Sequence, residues 1–531
     1  MLRKLVSLFL LIVLLAACAP KTTPTTPPAT EPPAAEQPTA EKPAEEPTAA
    51  PPEECTEPVT LDLYMVGNGD TEARSSVEAA LNEYIEPLIC ANVTFHIVGW
   101  GDWFAKAITG IQAGEKMDIF FTADWWQYNE LVAQGLLMPL NDDNGEYGNL
   151  LKLYGKGILD TLNPAFITGT QINGVNYAVP TNKELAVPDG LIYNVALAEE
   201  IGFTQEDANK IKSLRDLEPW LEKAKAARPD EYPFLLNFMY AFDPWVDGFA
   251  AGVPENLITM KVDPDDNGVF DQNIYNIAES EWFKEYVTIM REWHDKGWVH
   301  PEAALQGYEP DQLMNAGKFF IVGQPLKGEG IKANELVNSS GNPDLRLAEI
   351  YTHKKVVITL HTGGSMLAIP ALSEHPVEAM KFINLLHTDP KVVNICLFGV
   401  EGKHWELEAD GRVNIIDNSW YSAHPGSWVW GNTQIQYVTN KEDPEKAKRL
   451  IEYSNDAYTH PSLGFRFVKG PVEAEITAVQ AVCDKYVTAL HYGYIDPATE
   501  LPKFIDELKA AGIDKIKAEV EKQYNEWLAT K

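Results

Sequence analysis

The amino-acid sequence predicts an α/β protein built from two lobes. Along residues 59–134, segments with strand character alternate with helical segments, and strands separated by helices of this length usually form a parallel sheet. The body of the chain, from about residue 59 to residue 531, is too long for one compact core. The alternation predicts the α/β class, and the length predicts the division into two lobes.

The predicted elements alternate in the order strand, helix, strand, helix, strand, helix at residues 59–65, 71–85, 93–98, 103–113, 117–121 and 125–134. Ligands of open α/β sheets bind beyond the carboxyl ends of the strands. The loops that follow the three strands are residues 67–70, 100–103 and 122–126, and all three carry polar or aromatic side chains. We expect them to lie along one edge and to form half of a binding cleft.

The first residues predict export and a lipid anchor. Arg3 and Lys4 precede an apolar run, residues 5–15, that is too short to span a bilayer. The run ends in Leu-Ala-Ala before Cys18, which resembles the lipobox of bacterial lipoproteins. Residues 1–17 are therefore predicted to be a signal peptide, with Cys18 lipidated at the extracellular or periplasmic face of a membrane. An ordinary secretory signal with a chance cysteine is the alternative.

The segment from residue 18 to residue 57 is predicted to be a disordered linker. It consists largely of Pro, Thr, Ala and Glu and has almost no large apolar side chain to bury. Such a segment cannot offset the entropy lost on ordering, and its prolines favour extended conformers. A lipid followed by this linker would act as a leash, and an O-glycosylated stalk is a further interpretation.

The charge of the chain excludes some partners. It has 43 basic and 77 acidic residues, a formal net charge of −34. Nucleic-acid binding depends on Lys and Arg that neutralise phosphates, so we expect no nucleic-acid partner. The 14 tryptophans and 21 tyrosines are a high aromatic content, and aromatic faces are common platforms for sugar rings.

The cysteines fit an oxidising compartment. Cys55 and Cys90 each lie just before a predicted strand. If those strands are parallel neighbours, both thiols lie at the same edge of the sheet, and a Cys55–Cys90 disulfide is expected. Cys396 and Cys483 lie in helical segments, either as buried free thiols or as a pair. No CxxC motif supports a zinc or redox site.

Several segments, in the same order, resemble the family 1 extracellular solute-binding proteins, the group of maltose-binding protein. Residues 172–180 (INGVNYAVP) are similar to the family's G-K-x-Y-x-x-P strand, and residues 181–194 look like the first crossing between lobes. The other similar segments are residues 313–323 (return crossing), 363–370 (third hinge strand) and 375–386 (A-x-x-F-x-x-x-L helix). Residues 399–405, 430–434, 464–467 and 512–520 resemble a lipoprotein branch with an added C-terminal segment.

The resemblance implies a type II periplasmic-binding-protein-like fold with hinge crossings. It implies an N-terminal lobe of residues 58–186 plus 320–372, and a C-terminal lobe of residues 187–319 plus 373–531 with added C-terminal helices. It also implies that the protein captures an oligosaccharide between the lobes and delivers it to ABC permease subunits. We expect a monomer that closes on its ligand, with no catalytic residues and no required cofactor.

Ten side chains are candidates for ligand contact. The resemblance points to Asp124, Trp125 and Trp126 after the third strand, to Glu184 in the first crossing, and to Asp243 and Trp245 in a segment with an acid-Pro-aromatic triplet. Trp428 and Trp430 are candidates for an aromatic platform, and Asn68 and Asp70 complete the set. The alternatives are a helix cap for Asp124, a hinge-surface charge for Glu184, core packing for the tryptophans, and a turn at residues 68–70.

One loop resembles the front half of an EF-hand. Asp263, Asp265, Asn267 and Asp271 occupy positions one, three, five and nine, with Gly268 at position six. Position twelve is Ile274, so the bidentate Glu of an EF-hand is missing. The interpretations are a structural calcium site and a solvated turn of Asp, Asn and Gly.

Two other functions are kept as alternatives. A secreted carbohydrate-active enzyme would also carry aromatic and acidic side chains, although the sequence lacks a Gly-x-Ser-x-Gly elbow, a His-Glu-x-x-His motif and a Walker loop. A binding lipoprotein for peptides or for signalling is the second alternative. The sequence does not identify the sugar, its length or its linkage.

Overall fold

The computed structural model describes residues 55–236, 242–304, 310–328 and 330–531. Residues from Cys55 onward form one compact unit. The predicted signal peptide, Cys18 and most of the predicted linker lie outside the described residues. The linker was predicted to reach residue 57, whereas Cys55 already belongs to the compact unit.

The first lobe is built on a five-stranded sheet. Val59–Gly67 lies between Ala91–Gly99 and Ile119–Thr122 and is parallel to both, as the alternation of strands and helices predicts. The sheet is completed by two antiparallel pairings, so the order across it is Ala91–Gly99, Val59–Gly67, Ile119–Thr122, Met366–Ala368 and Ala178–Pro180. The carboxyl ends of the three parallel strands therefore meet at one edge.

The pairing register aligns the first two strands of this sheet along their whole length. Residue 59 pairs with residue 91 and each following residue with its counterpart, so apolar side chains of both strands fall on the same face. The helix Arg74–Ile89 covers that face with Val77, Leu81 and Ile85, which recur at helical spacing and are fully buried. Trp103, Phe120 and Phe121 are buried in the same core.

The second lobe has a four-stranded mixed sheet in the order Leu347–Tyr351, Asp189–Asn194, Ile321–Pro325 and Phe234–Leu235. Its core continues into three C-terminal helices, Glu473–His491, Pro497–Ala511 and Ile513–Leu528. In the last of these, Ile516, Val520 and Tyr524 are buried at four-residue spacing, as the sequence predicts.

The remaining elements surround these sheets. The other α-helices associated with the first core are Thr109–Ala113, Tyr128–Ala133, Leu150–Tyr154, Lys156–Thr161, Pro164–Gly169, Pro376–Thr388 and Pro390–Phe398. Those of the second are Val195–Ile201, Gln205–Ala208, Glu218–Ala227, Glu281–Asp295, Pro310–Asn315 and Ile331–Ser340, and two more, Thr359–Thr362 and Lys446–Asn455, lie between the lobes. Short antiparallel pairs are Gln171–Ile172 with Val175–Asn176, Ile258–Thr259 with Tyr275–Asn276, and Trp405–Leu407 with Val413–Ile415.

The structure corrects the predicted lobe boundaries. Residues 320–372 were assigned to the N-terminal lobe, but Ile321–Pro325 and Leu347–Tyr351 both pair with Asp189–Asn194 in the second sheet. Residues 373–531 were assigned to the C-terminal lobe, but Pro376–Thr388 and Pro390–Phe398 pack in the first core. Short apolar strands and helices suit either core, so the sequence pattern could not assign them.

In the described residues the chain crosses between the cores at three places: residues 181–188, 352–365 and 436–464. We call these three segments the hinge. The second and third crossings pair with each other, because Val356–Val357 and Tyr458–Thr459 form a short parallel ladder. The predicted crossing at residues 313–323 is wrong, since the strand there lies in the second sheet.

A disulfide joins Cys55 to Cys90, with the Cα atoms 5.2 Å apart. Cys90 follows the helix Arg74–Ile89 in the left-handed region and its carbonyl accepts a hydrogen bond from Val59. The bridge therefore ties the start of the first strand to the start of the second. Cys396 and Cys483 are buried free thiols.

Within the described ranges, no helix is both long enough and apolar enough to cross a membrane.

Candidate functional site

Four tryptophans form a continuous cluster where the parallel strands of the first sheet end. We call Trp100, Trp125, Trp126 and Trp428 the aromatic surface. Trp126 lies 5.0 Å from both Trp100 and Trp125, measured between ring centroids, and Trp125 lies 6.4 Å from Trp428. These separations are those of packed aromatic pairs.

The aromatic surface is accessible to solvent, which is unusual for so many large rings. Trp125 is 45% exposed, and the other three are partly exposed. Phe104, also exposed, stacks on Trp126 at 5.5 Å with an angle of 18° between the rings. Phe104 begins a π-helical turn, Phe104–Ile108, a feature that is frequent at functional sites. Exposed stacked rings of this kind offer faces to the apolar sides of sugar rings.

A cavity of about 220 Å³ lies between the lobes beside Trp125. The first lobe contributes Asp124, Trp125 and Asn129, and the second contributes Gly248, Ala251, Phe465 and Phe467. Ligand pockets for drug-sized molecules usually measure about 300–1,000 Å³. The cavity is smaller than this range. It therefore has room for one sugar ring, and a longer sugar would continue along the aromatic surface.

Asp124 is held by an arginine from the other side of this cavity. Arg466 places two nitrogens on the two carboxylate oxygens of Asp124, at 2.5 and 3.1 Å. Both side chains are more than nine-tenths buried. The Asp124 carboxylate thus lines the cavity while it is engaged in a buried ion pair, and Trp125 beside it is exposed.

A recess in the second lobe contains three carboxyl groups. We call Asp189, Asp243 and Asp247 the acidic recess. The three side chains lie close enough for their charges to interact, and each residue is partly exposed. Burial raises the pKa of Asp243 well above its ordinary value, and the charge of Asp247 adds to this shift. Burial also raises the pKa of Asp247 to about 6, while His353 lowers it in part. A carboxyl group accepts hydrogen bonds when it is ionised and can also donate one when it is protonated, and both interactions suit sugar hydroxyls.

Two of the predicted contact residues are buried elsewhere. Trp430 is fully buried in the first core against Phe95, and Trp245 is 5% exposed in the second core beside Tyr275. Both predictions are corrected, because an indole that fills a core cannot stack on a ligand. Asp243, from the same segment as Trp245, lies in the acidic recess instead, where its carboxylate accepts a hydrogen bond from the Trp245 backbone.

Glu184 lies apart from the cavity beside Trp125, in a second small pocket that Trp428 and Lys327 also line. It is buried in the first crossing, where its carboxylate lies 3.0 Å from the Lys183 ammonium and 3.9 Å from that of Lys327. Lys327 contacts Glu335 at 3.0 Å, and Glu335 contacts Lys446 at 3.3 Å. Glu184 therefore belongs to an ion network that joins the first and third crossings to the second lobe.

Asn68 and Asp70 lie apart from the interlobe cavity. They line a broad groove of about 680 Å³ on the first lobe together with Tyr64 and His96. The Asn68 amide donates to the carbonyl of Ser422, and the Asp70 carboxylate accepts from the Thr71 amide and from Arg74. These contacts are those of a turn and a helix start, which was the alternative interpretation.

The predicted calcium loop does not fit a metal. Lys354 donates to the carbonyl oxygens of Pro264 and Asp265, both at 2.7 Å, so an ammonium group lies where loop oxygens converge. Asp263 accepts from the Lys354 amide, and Asp265 accepts from the amides of its own turn. Asp271 turns away to Tyr275. The backbone N–H of Asn267 donates to the Asp265 carboxylate, so Asn267 is part of the same turn. Among the described residues, no group of three or more His, Cys, Asp and Glu side chains could hold a metal ion.

Several site residues were not predicted as contacts. Trp100 is the first residue of the predicted rim loop 100–103 and Phe104 follows it, and their aromatic character next to a strand end was a usable signal. Asp189, Asp247 and Arg466 gave no such signal, because each reaches the site only through the packing of distant segments. Arg466 in particular is 342 residues from Asp124 in the chain.

The fold and site define a two-lobe binding protein, and comparisons with known proteins agree. A family model described as bacterial extracellular solute-binding protein matches residues 78–391, more than half of the chain. The chain belongs to this family, which confirms the resemblance seen in the sequence. A second model, a domain of unknown function (DUF3502), matches residues 461–529, which include Arg466 and the three C-terminal helices.

Individual relatives cover nearly the whole body. A carbohydrate ABC transporter substrate-binding protein of Streptococcus pneumoniae is 27% identical, over 89% of this chain and 91% of its own. The crystal structure of the N-glycan transport solute-binding protein NgtS of S. pneumoniae is 25% identical, covers 89% of this chain and 99% of its own, and has a TM-score of 0.76. Its complex with Man5GlcNAc is 26% identical over the same shares, with a TM-score of 0.69.

Proposed function

We propose that this protein captures an oligosaccharide of the N-glycan type, built from mannose and N-acetylglucosamine, and delivers it to an ABC permease. The observation that carries the proposal is the aromatic surface beside the interlobe cavity. Exposed tryptophan faces and nearby carboxyl groups match the two sides of a pyranose, which are apolar and hydroxylated. The relatives crystallised with Man1GlcNAc and Man5GlcNAc support this choice of sugar.

The division of the site supports a long or branched ligand. A cavity of about 220 Å³ accommodates one ring, whereas four tryptophans in contact offer stacking to several more. The carboxyl groups of the acidic recess in the second lobe would form hydrogen bonds with hydroxyl groups of the sugar ring in the cavity. Binding across both lobes would favour the form in which they are closed on the ligand.

We further propose that Cys18 is lipidated and that the linker holds the two-lobe body near the permease as a monomer. The lipobox-like sequence and the Pro- and Glu-rich composition of residues 19–54 support this arrangement. Mass spectrometry of the membrane-extracted protein would detect the diacylglyceryl group on Cys18, and a Cys18→Ser variant would be released into the medium. Retention of that variant on the membrane would contradict lipid anchoring at Cys18.

The binding proposal is tested by isothermal titration calorimetry with Man5GlcNAc and Man1GlcNAc, and with kestose as an unrelated sugar. We expect saturable binding of at least one N-glycan fragment and none of kestose. The Trp125→Ala variant should bind at least tenfold more weakly, a loss of about 1.4 kcal/mol, because it removes the most exposed ring of the surface. Tyr147→Ala, an exposed aromatic outside the cavity, should bind as the wild type does.

The same samples distinguish binding from catalysis. Chromatography of the sugar after prolonged incubation should recover it intact, since a transport protein returns its ligand unchanged. Release of mannose, or equal binding by Trp125→Ala and the wild type, would contradict the proposal.

A further inference from the structure

The aromatic surface is attached directly to the hinge. Trp125, its most exposed member, donates its indole N–H to the carbonyl of Gly364 at 2.7 Å. The preceding residue, Asp124, donates its backbone N–H to the carbonyl of Gly363 at 2.8 Å. Gly363 and Gly364 belong to the second crossing. The binding face and one hinge segment are thus joined by two hydrogen bonds.

Gly363 is required for this close approach. A Cβ atom at residue 363 would collide with the carboxylate of Asp124. The collision would be with a buried side chain whose two oxygens are already engaged by Arg466, so there is little freedom to move aside. The contact between the second crossing and Asp124 is therefore specific to glycine.

Arg466, two residues after the end of the third crossing, reaches the same point from the second lobe. Its neighbours Phe465 and Phe467 are buried in the second core, against side chains such as Phe249 and Tyr524. The Arg466 side chain points the other way, and its hydrogen bonds go to residues of the first lobe. One residue therefore joins the two cores.

Every N–H group of Arg466 has a partner. Besides the two bonds to Asp124, it donates to the side-chain oxygen of Asn129 and to the carbonyls of Gly169 and Gln171, at 3.0, 2.6 and 3.0 Å. Its guanidinium lies 5.2 Å from the centre of the Tyr128 ring. A guanidinium has five N–H groups, and a lysine ammonium could reproduce neither their number nor their planar geometry.

We propose that Asp124, Arg466 and the Gly363–Gly364 pair couple the aromatic surface to the hinge, so that a sugar stacked on Trp125 biases the angle between the lobes. The second crossing and the residue Arg466, just after the third crossing, are both bonded to residues 124–125. If the orientation of Trp125 changes, the segments bonded to residues 124–125 are therefore expected to move with it. The part of the proposal that concerns sugar rests on the proposed function, while the coupling itself is a property of the ligand-free protein.

The test measures the distance between the lobes in the whole chain, purified in detergent. Spin labels are attached through Lys152→Cys on the first lobe and Glu222→Cys on the second, both exposed. Electron–electron double resonance then gives the distribution of distances without ligand and with Man5GlcNAc. Thermal unfolding of each variant establishes that it is folded before it is measured.

Without ligand, we expect Arg466→Lys to broaden or shift the distribution, since the planar five-donor contact is lost. Asp124→Asn, which keeps the shape of the side chain, is the second variant and should act in the same direction. The control is Lys469→Met, which removes the exposed ion pair between Lys469 and Glu130, also between the lobes. It should leave the distribution unchanged.

Trp125→Ala and Trp428→Ala separate coupling from simple loss of an aromatic ring. Both belong to the aromatic surface, but Trp428 donates its indole N–H to Pro425 within the first lobe and not to the hinge. We expect only Trp125→Ala to change the ligand-free distance distribution. A merely structural role for the ring would not make this distinction.

The outcomes for coupling and for sugar binding are distinct. If Arg466→Lys, Asp124→Asn and Trp125→Ala all keep the wild-type distribution, the coupling is overturned. If they change it as expected while Man5GlcNAc alters nothing in the wild type, the coupling stands and the proposed sugar is wrong. If Man5GlcNAc narrows the wild-type distribution but not that of Arg466→Lys, both stand.

Discussion

Single side chains at the site illustrate how the context of a charged group decides its role. Asp124, Glu184 and Asp243 were predicted on equal terms as acidic ligand contacts. In the structure, Asp124 forms an ion pair with Arg466, and Glu184 lies within ion-pair distance of two lysines. Asp243 lies beside Asp247 in the acidic recess, where no arginine of the described residues neutralises it. Of these three carboxylates, only that of Asp243 forms no ion pair among the described residues.

Asp247 provides a prediction about pH. Because its pKa is raised to about 6 in the folded protein from an ordinary value near 3.8, the folded state favours its protonated form. Its ionisation therefore costs stability, and this cost appears as the pH rises from about 4 to 6 and is constant above that. Asp247→Asn should be more stable than the wild type at pH 7, by up to about 3 kcal/mol.

Urea denaturation at pH 4 and pH 7, without sugar, measures this effect. The difference between Asp247→Asn and the wild type should be larger at pH 7 than at pH 4. A difference that is the same at both pH values would show that Asp247 titrates normally in the folded protein.

Lys354 provides a prediction about metal. Its ammonium donates to two loop carbonyls, so the wild-type protein should show the same melting temperature with millimolar calcium and with a chelator. Lys354→Met should lower the free energy of unfolding by about 1–3 kcal/mol, because two charge-assisted hydrogen bonds are lost and the carbonyls are left without their donor. Lys152→Met, at an exposed position, is the control. A calcium-dependent rise in the wild-type melting temperature would contradict the exclusion of calcium from this loop.

At the scale of elements, the predicted strands and helices of the first lobe agree with the structure to within a few residues. The predicted strand at 59–65 is Val59–Gly67, and the predicted helix at 71–85 is Arg74–Ile89. These elements have strong local signals, namely two-residue and near-four-residue spacing of apolar side chains. The predicted helix at 125–134 begins later, at Tyr128, because residues 123–127 form the turn that carries Trp125 and Trp126.

The disulfide is an element-scale constraint, since it joins the ends of two neighbouring strands. It closes a loop of about 35 residues in the unfolded chain. The loss of loop entropy predicts a stabilisation of roughly 3–4 kcal/mol. The variant with both Cys55→Ser and Cys90→Ser should therefore unfold at a lower urea concentration than the wild type.

Treatment with a reductant is the matched control for this prediction. Reduced wild-type protein should unfold at the same urea concentration as the double variant, and the reductant should not affect the double variant. If the reduced and oxidised wild-type proteins unfolded together, the bridge would contribute nothing to stability.

For the whole molecule, the order of segments in the two lobes was harder to predict than their existence. The first lobe is interrupted by the second and resumes after residue 365, where Met366–Ala368 enters the first sheet between Ile119–Thr122 and Ala178–Pro180. The strand Ile321–Pro325 is also short and largely buried but enters the other sheet. The strand with which Ile321–Pro325 pairs depends on the pairing register and on the helices that cover the sheet. Neither of these is visible in the local sequence pattern.

The α/β class, the two lobes and the membership of the family could be predicted from the sequence alone. These depend on composition, local periodicity and ordered motifs, all of which are properties of neighbouring residues. Three features emerge only in the folded protein: which tryptophans are exposed, which residue pairs with Asp124, and how the lobes exchange segments. Burial and pairing are set by residues hundreds of positions apart, as Arg466 and Asp124 are, and such contacts leave no mark on the local sequence.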